Sequence, residues 1–168
     1  MSRDRKPIHL AAHFPGVNNT TVWSDPESGS QIEFDSLMLK EGERKEGQPR
    51  LLAVDNEMVV PVNKTVRVIT TGADVIHSFA VPSFGIKIDA VPGRINETWF
   101  KATREGIYYG QCSELCGKDH AFMPIEIRVV SADKFKAWAA QAASDLPGAY
   151  QTLAEKTDND KNQRLAAR

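Results

Sequence analysis

Long apolar runs are missing from this chain. Nothing in its 168 residues approaches the ~20 consecutive apolar residues that a membrane-spanning helix needs. No apolar stretch follows the N-terminal Met1-Ser2-Arg3-Asp4-Arg5-Lys6, so a secretory leader is not expected. An excess of charge of one sign is missing too. Twenty-one Lys and Arg stand against 22 Asp and Glu, a formal net charge of −1, and that balance excludes wholesale nucleic-acid binding. No segment repeats. Cysteine is scarce, at two residues, too few for a multiply stapled disulfide framework. The fold must rest on a hydrophobic core. A chain of this length supports one, with extensions.

Both cysteines lie in one short stretch, Gln111-Cys112-Ser113-Glu114-Leu115-Cys116-Gly117-Lys118-Asp119-His120-Ala121-Phe122-Met123-Pro124. Two thiolates, an imidazole and a thioether form a soft ligand set, which selects copper or zinc over hard cations. Structural zinc sites use Cys and His almost exclusively, so Met123 tilts the choice to copper. One cysteine suffices for a mononuclear site, whereas two on one loop can place both sulfurs between two ions. An intrachain disulfide is the competing reading in an oxidising compartment, and it is the expected fate of the metal-free chain. A lone Met123 would be a core gap-filler. His9 and His13 have no such context and read as ordinary residues.

Upstream, Asp74-Val75-Ile76-His77-Ser78-Phe79-Ala80-Val81-Pro82 reads as a strand with His77 as its one strong metal-binding side chain. A lone strand histidine is more often structural; its flanks decide here. The segment His77 to Val130 resembles the copper-bearing domain of subunit II of haem–copper cytochrome c oxidase. The words that carry the likeness are His77-Ser78-Phe79-Ala80-Val81-Pro82, Asp89-Ala90-Val91-Pro92-Gly93-Arg94, Tyr108-Tyr109-Gly110-Gln111, the Cys112–Met123 loop and Phe122-Met123-Pro124-Ile125. It extends back through Leu51-Leu52-Ala53-Val54-Asp55-Asn56 to Phe34-Asp35-Ser36, roughly two-thirds of the chain.

The resemblance implies a dinuclear copper centre (CuA). Cys112 and Cys116 would bridge both coppers, with His77 and His120 on one copper each. Met123 would give a weak thioether to one copper, and the Glu114 backbone carbonyl a weak oxygen to the other. The Glu114 side chain would reach a magnesium ion at the contact with subunit I. Leu115, Phe122 and Ile125 would keep water from the loop. The implied function is an electron-transfer subunit of cytochrome c oxidase, passing electrons from cytochrome c to haem in subunit I for oxygen reduction and proton pumping. Two other functions stay open: the related copper domain of a nitrous oxide reductase, and a metal-free structural module like the quinol-oxidase relatives. Subunit II normally begins with a transmembrane hairpin. The expectation here is either a chain truncated to its soluble part or, preferred, half of a split subunit whose hairpin is a separate chain. The implied location is the intermembrane-space side of the mitochondrial inner membrane or the bacterial periplasmic side.

The expected fold is all-β: a cupredoxin-like Greek-key sandwich or barrel with a C-terminal helix. Residues 1–31 read as an irregular N-terminal arm, punctuated by Pro7, Pro15-Gly16, Pro26 and Ser28-Gly29-Ser30. The copper domain follows over 32–131, and a helix and tail over 132–168. Strands are expected at Ile32–Leu39, Arg50–Val54, Met58–Val62, Thr65–Thr70, Val75–Val81, Ile95–Lys101, Ile107–Gly110 and Ile125–Val130. Lys40 to Pro49 reads as a charged loop. Ser131 should cap a helix over Ala132–Ala143, with Phe135, Trp138 and Ala142 on one face. Pro147-Gly148 should end it.

The chain departs from the family at electron entry. The family's Trp-Tyr-Trp run, with an exposed entry tryptophan, is replaced by Asn18-Asn19-Thr20-Thr21-Val22-Trp23-Ser24. Trp23 aligns with the second tryptophan and Thr21 with the first, so Trp23 reads as a packing residue before an entry residue. Asp25, Glu27, Glu33, Asp35 and Asp74 resemble the carboxylates that face cytochrome c. Such rim charges mainly steer encounter, though any one of them can equally be a solvated loop residue.

Overall fold

The computed structural model describes residues 8–14, 19–24 and 31–154. Ten strands run in order: β1 (Ile8–Phe14), β2 (Asn19–Ser24), β3 (Gln31–Ser36), β4 (Met58–Pro61), β5 (Val66–Gly72), β6 (His77–Val81), β7 (Ile86–Ala90), β8 (Asn96–Phe100), β9 (Gly106–Gln111) and β10 (Pro124–Val130). Helix α1 (Ala132–Ala142) and a second helix, α2 (146–154), follow.

The strands make a five-stranded sheet in the order β3-β2-β1-β5-β8, a three-stranded sheet β4-β10-β9 and a hairpin β6-β7. Alternation fixes which face is buried. In β3, Ile32, Phe34 and Ser36 turn inward while Gln31, Glu33 and Asp35 face out. Val66 and Val68 of β5, Met58 and Val60 of β4, Phe79 and Val81 of β6, and Ile125, Ile127 and Val129 of β10 meet them in one core. Covering both β4 and β10 leaves almost nothing of them exposed. The second cover is α1, whose Phe135, Trp138 and Ala142 are buried as its spacing predicts. Ser131 caps it, accepting the Lys134 N–H at 3.4 Å.

Most expected strands lie within two residues of their predicted limits, and four readings need correction. First, β1 and β2 fall within the segment read as irregular. β1 is no loop: it sits mid-sheet, parallel to β5 and antiparallel to β2. His9-Leu10-Ala11-Ala12-His13 carries little strand propensity; the open backbone edge of β5 recruits it, a non-local cause. Second, Arg50–Val54 is a turn. Leu51 adopts φ 65°, and Val54 makes only an isolated bridge to Met38. Third, β7 was not expected; Gly85, at φ 67°, closes the turn that folds it back on β6. Fourth, Pro147-Gly148 opens α2 instead of ending α1. The Gly148 N–H donates to Asp145 Oδ1 at 3.1 Å, an N-cap bond, and proline suits a first helical turn. Tyr150 then donates its hydroxyl to the Glu57 carbonyl at 2.7 Å.

Under this cover lies a buried acid. Glu126 is 2% exposed and its Oε2 accepts the Val54 N–H at 2.8 Å. Burial pushes its pKa up from 4.5 to about 7, the Val54 N–H opposes this, and the neighbouring Glu57 charge adds to it. Ionisation is therefore costlier in the folded chain than in the unfolded one. Stability is full below the unfolded value of 4.5, falls as pH rises towards 7, and then levels off. Glu126→Gln keeps an acceptor for Val54 without the ionisation. Its urea midpoint should change less than the parent's between pH 5 and pH 8, and exceed it at pH 8. Equal pH slopes in the two chains would contradict the assignment.

Candidate metal centre

Three elements converge at one end of the sandwich. His77 opens β6, 2% exposed. Cys112 directly follows β9, and Met123 directly precedes β10. The antiparallel β9–β10 ladder brings the two ends of the intervening loop together, and Cys112 N–H donates to the Met123 carbonyl at 3.0 Å. Inside the loop, His120 N–H donates to Gly117 O at 3.2 Å and Phe122 N–H to Asp119 O at 2.9 Å. Gly117 has φ 137°, a backbone conformation that costs glycine least. Ser113 N–H donates to Ser78 O at 3.2 Å, tying the loop to the strand that carries His77.

The donor atoms cluster accordingly. One ligand atom from each of His77, Cys112 and Cys116 lies within 4.8 Å of the others. Cys116 is the hub: its Sγ is 3.9 Å from Cys112 Sγ, 3.6 Å from His120 Nδ1 and 3.5 Å from Met123 Sδ. The Glu114 carbonyl oxygen stands 3.3 Å from Cys112 Sγ. Both cysteines are free thiols, since a disulfide needs its sulfurs about 2.05 Å apart. Burial, then the neighbouring Cys112, pushes the Cys116 thiol up to about 11.

The donor set fits a soft metal. The thiols of Cys112 and Cys116, the rings of His77 and His120 and the Met123 thioether would hold it.

The remaining expected residues are placed unevenly. Asp74 belongs to the site itself: its Oδ1 lies 2.8 Å from His77 Nε2. That bond, then the Val75 N–H, holds its carboxyl below the usual range. The Glu114 side chain points outward, 3.9 Å from Lys87 Nζ. Glu33 and Asp35 lie on the outer face of β3. Trp23 pairs through its backbone with Leu10 and Ile32. Asp25 and Glu27 lie outside the described residues. Thr21, where the entry tryptophan would fall, is fully buried, so that position offers no exposed contact. Ile125 shields the loop as expected, but Leu115 is 80% and Phe122 45% exposed, and they do not. The sequence reading missed the Asp74–His77 and Ser113–Ser78 bonds. Asp74 stands three residues before His77, a spacing that could have suggested the first of them.

Fold and site together define a cupredoxin-like domain with a His77, Cys112 and Cys116 group able to hold a soft metal. Residues 17–130 match the family model of the cytochrome c oxidase subunit II periplasmic domain. The chain belongs to that family, which sets the nitrous oxide reductase reading aside. It is 62% identical over 109 residues to a probable cytochrome c oxidase subunit 2 of Rickettsia prowazekii, covering 65% of this chain and 35% of the relative. It is 53% identical over 145 residues to cytochrome c oxidase subunit 2 of Oenothera berteroana, covering 83% of this chain and 56% of the relative. The chain thus spans about a third to a little over half of these curated relatives. Among solved structures, the periplasmic domain of subunit II from Bradyrhizobium japonicum matches at 53% identity and TM-score 0.75, covering 86% of this chain and 99% of that one. A mixed disulfide between a thioredoxin-like protein and a subunit II periplasmic domain matches at 52% identity and TM-score 0.69, covering 87% and 97%. No described helix is long and apolar enough to cross a membrane.

Proposed function

We propose that this chain is the electron-transfer domain of a cytochrome c oxidase, accepting electrons from cytochrome c and passing them to haem in subunit I. The observation that carries the reading is the convergence of His77, Cys112 and Cys116 within 4.8 Å, with His120 and Met123 against Cys116. Two copper ions held by these side chains and the Glu114 carbonyl would supply a one-electron couple spread over both metals. The chain's part is to hold the ligands still. Loop-base and cross-strand hydrogen bonds fix them, so little rearrangement is needed in either oxidation state. Buried Ile125, Cys112 and Met123 exclude water on the inner side.

On the outer side, Leu115, Phe122, Val75 and Ile76 are exposed. They suit contact with partner subunits, where Glu114 would meet magnesium at subunit I once freed from Lys87. The complete complex would reduce oxygen and pump protons, on the intermembrane-space or periplasmic side of its membrane. We take the domain as residues 32–131 together with β1 and β2, which belong to its larger sheet, followed by a C-terminal helical tail. Since one relative forms a mixed disulfide with a thioredoxin-like protein, a similar reductant would keep Cys112 and Cys116 as thiols before copper arrives.

Copper counting with low-temperature electron paramagnetic resonance tests the reading. Two coppers per chain and a seven-line hyperfine pattern are expected. One copper with four lines would mean that an assigned ligand is wrong, and no copper would favour the metal-free structural module.

A further inference from the structure

Asp74 combines two properties that are usually separate. Its side chain is 49% exposed, yet it bonds to the ring of His77, which is 2% exposed. Other exposed carboxylates find cations within the chain: Glu97 pairs with Arg67, and Asp89 and Glu114 pair with Lys87, though not every one does. Among the described residues the ion pairs give Asp74 only His77. Val75 and Ile76 follow it, each 44% exposed, so a partner packing on them would cover the carboxylate and strip its water. A cation carried by that partner would find Asp74 with no lysine or arginine among the described residues to displace.

We propose that Asp74 is a positioning residue that couples the docking of a cationic protein face to the reduction potential of the metal centre. The proposal rests on the copper reading above. The Asp74 carboxylate accepts the Nε2–H of His77, which leaves Nδ1 as the ring nitrogen able to ligate. A carboxylate on the far nitrogen makes an imidazole a stronger donor, and a stronger donor favours the oxidised, more highly charged metal. A lysine or arginine that engages the same carboxylate weakens its pull on His77, and the potential rises. The centre is then the better acceptor while its electron donor is docked, and the potential falls when the donor leaves.

The test uses the copper-loaded chain at low ionic strength, with poly-lysine as the cationic probe and copper counted in every sample. Three chains are compared: the parent, Asp74→Asn, and Asp119→Asn as a control acid beside His120. Poly-lysine should raise the potential of the parent and of Asp119→Asn, and added salt should reverse the rise. Asp74→Asn should start at a higher potential and respond much less. Equal starting potentials in loaded parent and Asp74→Asn, or an equal response to poly-lysine, would overturn the proposal. A parent that takes up no copper would instead defeat the copper reading. The metal-free chain gives an independent readout, because nitrogen NMR of the His77 ring reports its tautomer. The parent should hold the Nε2–H form and Asp74→Asn a mixture, with Asp74→Glu restoring it. The same tautomer population in parent and Asp74→Asn would overturn the proposal even where the variant fails to load copper.

Discussion

A Cys116→Ser chain is expected to lose the coupled copper pair and, with it, electron transfer. Cys116 Sγ lies within 4 Å of three other side-chain donors: Cys112, His120 and Met123. Serine places a hydroxyl there that does not ionise near neutral pH and is a hard donor where the metal is soft. Outer partners of metal ligands already cost about 10–100-fold in affinity or activity when removed. On the copper reading proposed above, losing this ligand should cost more than about 100-fold in electron-transfer rate. The fold should survive, because Cys116 is only partly buried, in a loop outside the strands. Urea unfolding should therefore move by no more than about 1 kcal/mol, since Cys116 packs against the core from its edge. Rapid-mixing kinetics with reduced cytochrome c, beside a copper count, checks the result. A variant that keeps two coppers and the parent's spectrum would remove Cys116 from the site.

The sequence exposed the centre more readily than the frame around it. Cys112, Cys116, His120 and Met123 are close in sequence, so their residue types and spacing announce a soft site before any fold is known. His77 lies 35 residues from Cys112, and only the likeness of its flanks linked them. The hydrogen bonds that aim the ligands were hidden. Ser113 to Ser78 is a backbone bond between distant segments, and backbone groups carry no residue code. Asp74 looked like a docking acid because an exposed aspartate reads the same whether or not its other oxygen holds a histidine. The alternating strands were legible because burying one face imposes a period of two. β1 was not, since its place depends on the open edge of β5 and not on its own side chains. The Arg50–Val54 stretch misled for the opposite reason: its apolar residues suggested a strand, but Val54 is buried by giving its N–H to Glu126, outside any ladder.

Gly110→Ala is expected to disable the centre without touching a ligand. Gly110 is the next-to-last residue of β9, two before Cys112, and packs against β6, the strand that begins at His77. A Cβ built on it would lie 1.9 Å from the Ala80 carbonyl oxygen and 3.0 Å from the Ala80 carbonyl carbon. Those atoms are backbone, so no rotamer change relieves the clash; β9 must move away from β6. The displacement acts on both sides of the metal centre at once, because Cys112 moves with β9 and His77 with β6. It also strains the Ser113–Ser78 bond that joins them. Overpacking of this kind typically costs about 1–3 kcal/mol, and a backbone contact this short belongs at the upper end. The copper site should suffer more than the fold, since ligand geometry tolerates errors of only about 0.5 Å. The expected result is a chain that still folds, with a lower urea midpoint, and takes up copper weakly with a broadened or four-line resonance. Gly93→Ala is the comparison: Gly93 has a positive φ, at 72°, which Gly110 lacks, but nothing lies within 4 Å of its added Cβ. It should lose some stability and keep the two-copper signal. If Gly110→Ala gave the parent's copper content and spectrum, the close approach of β9 to β6 would not be what sets the ligands.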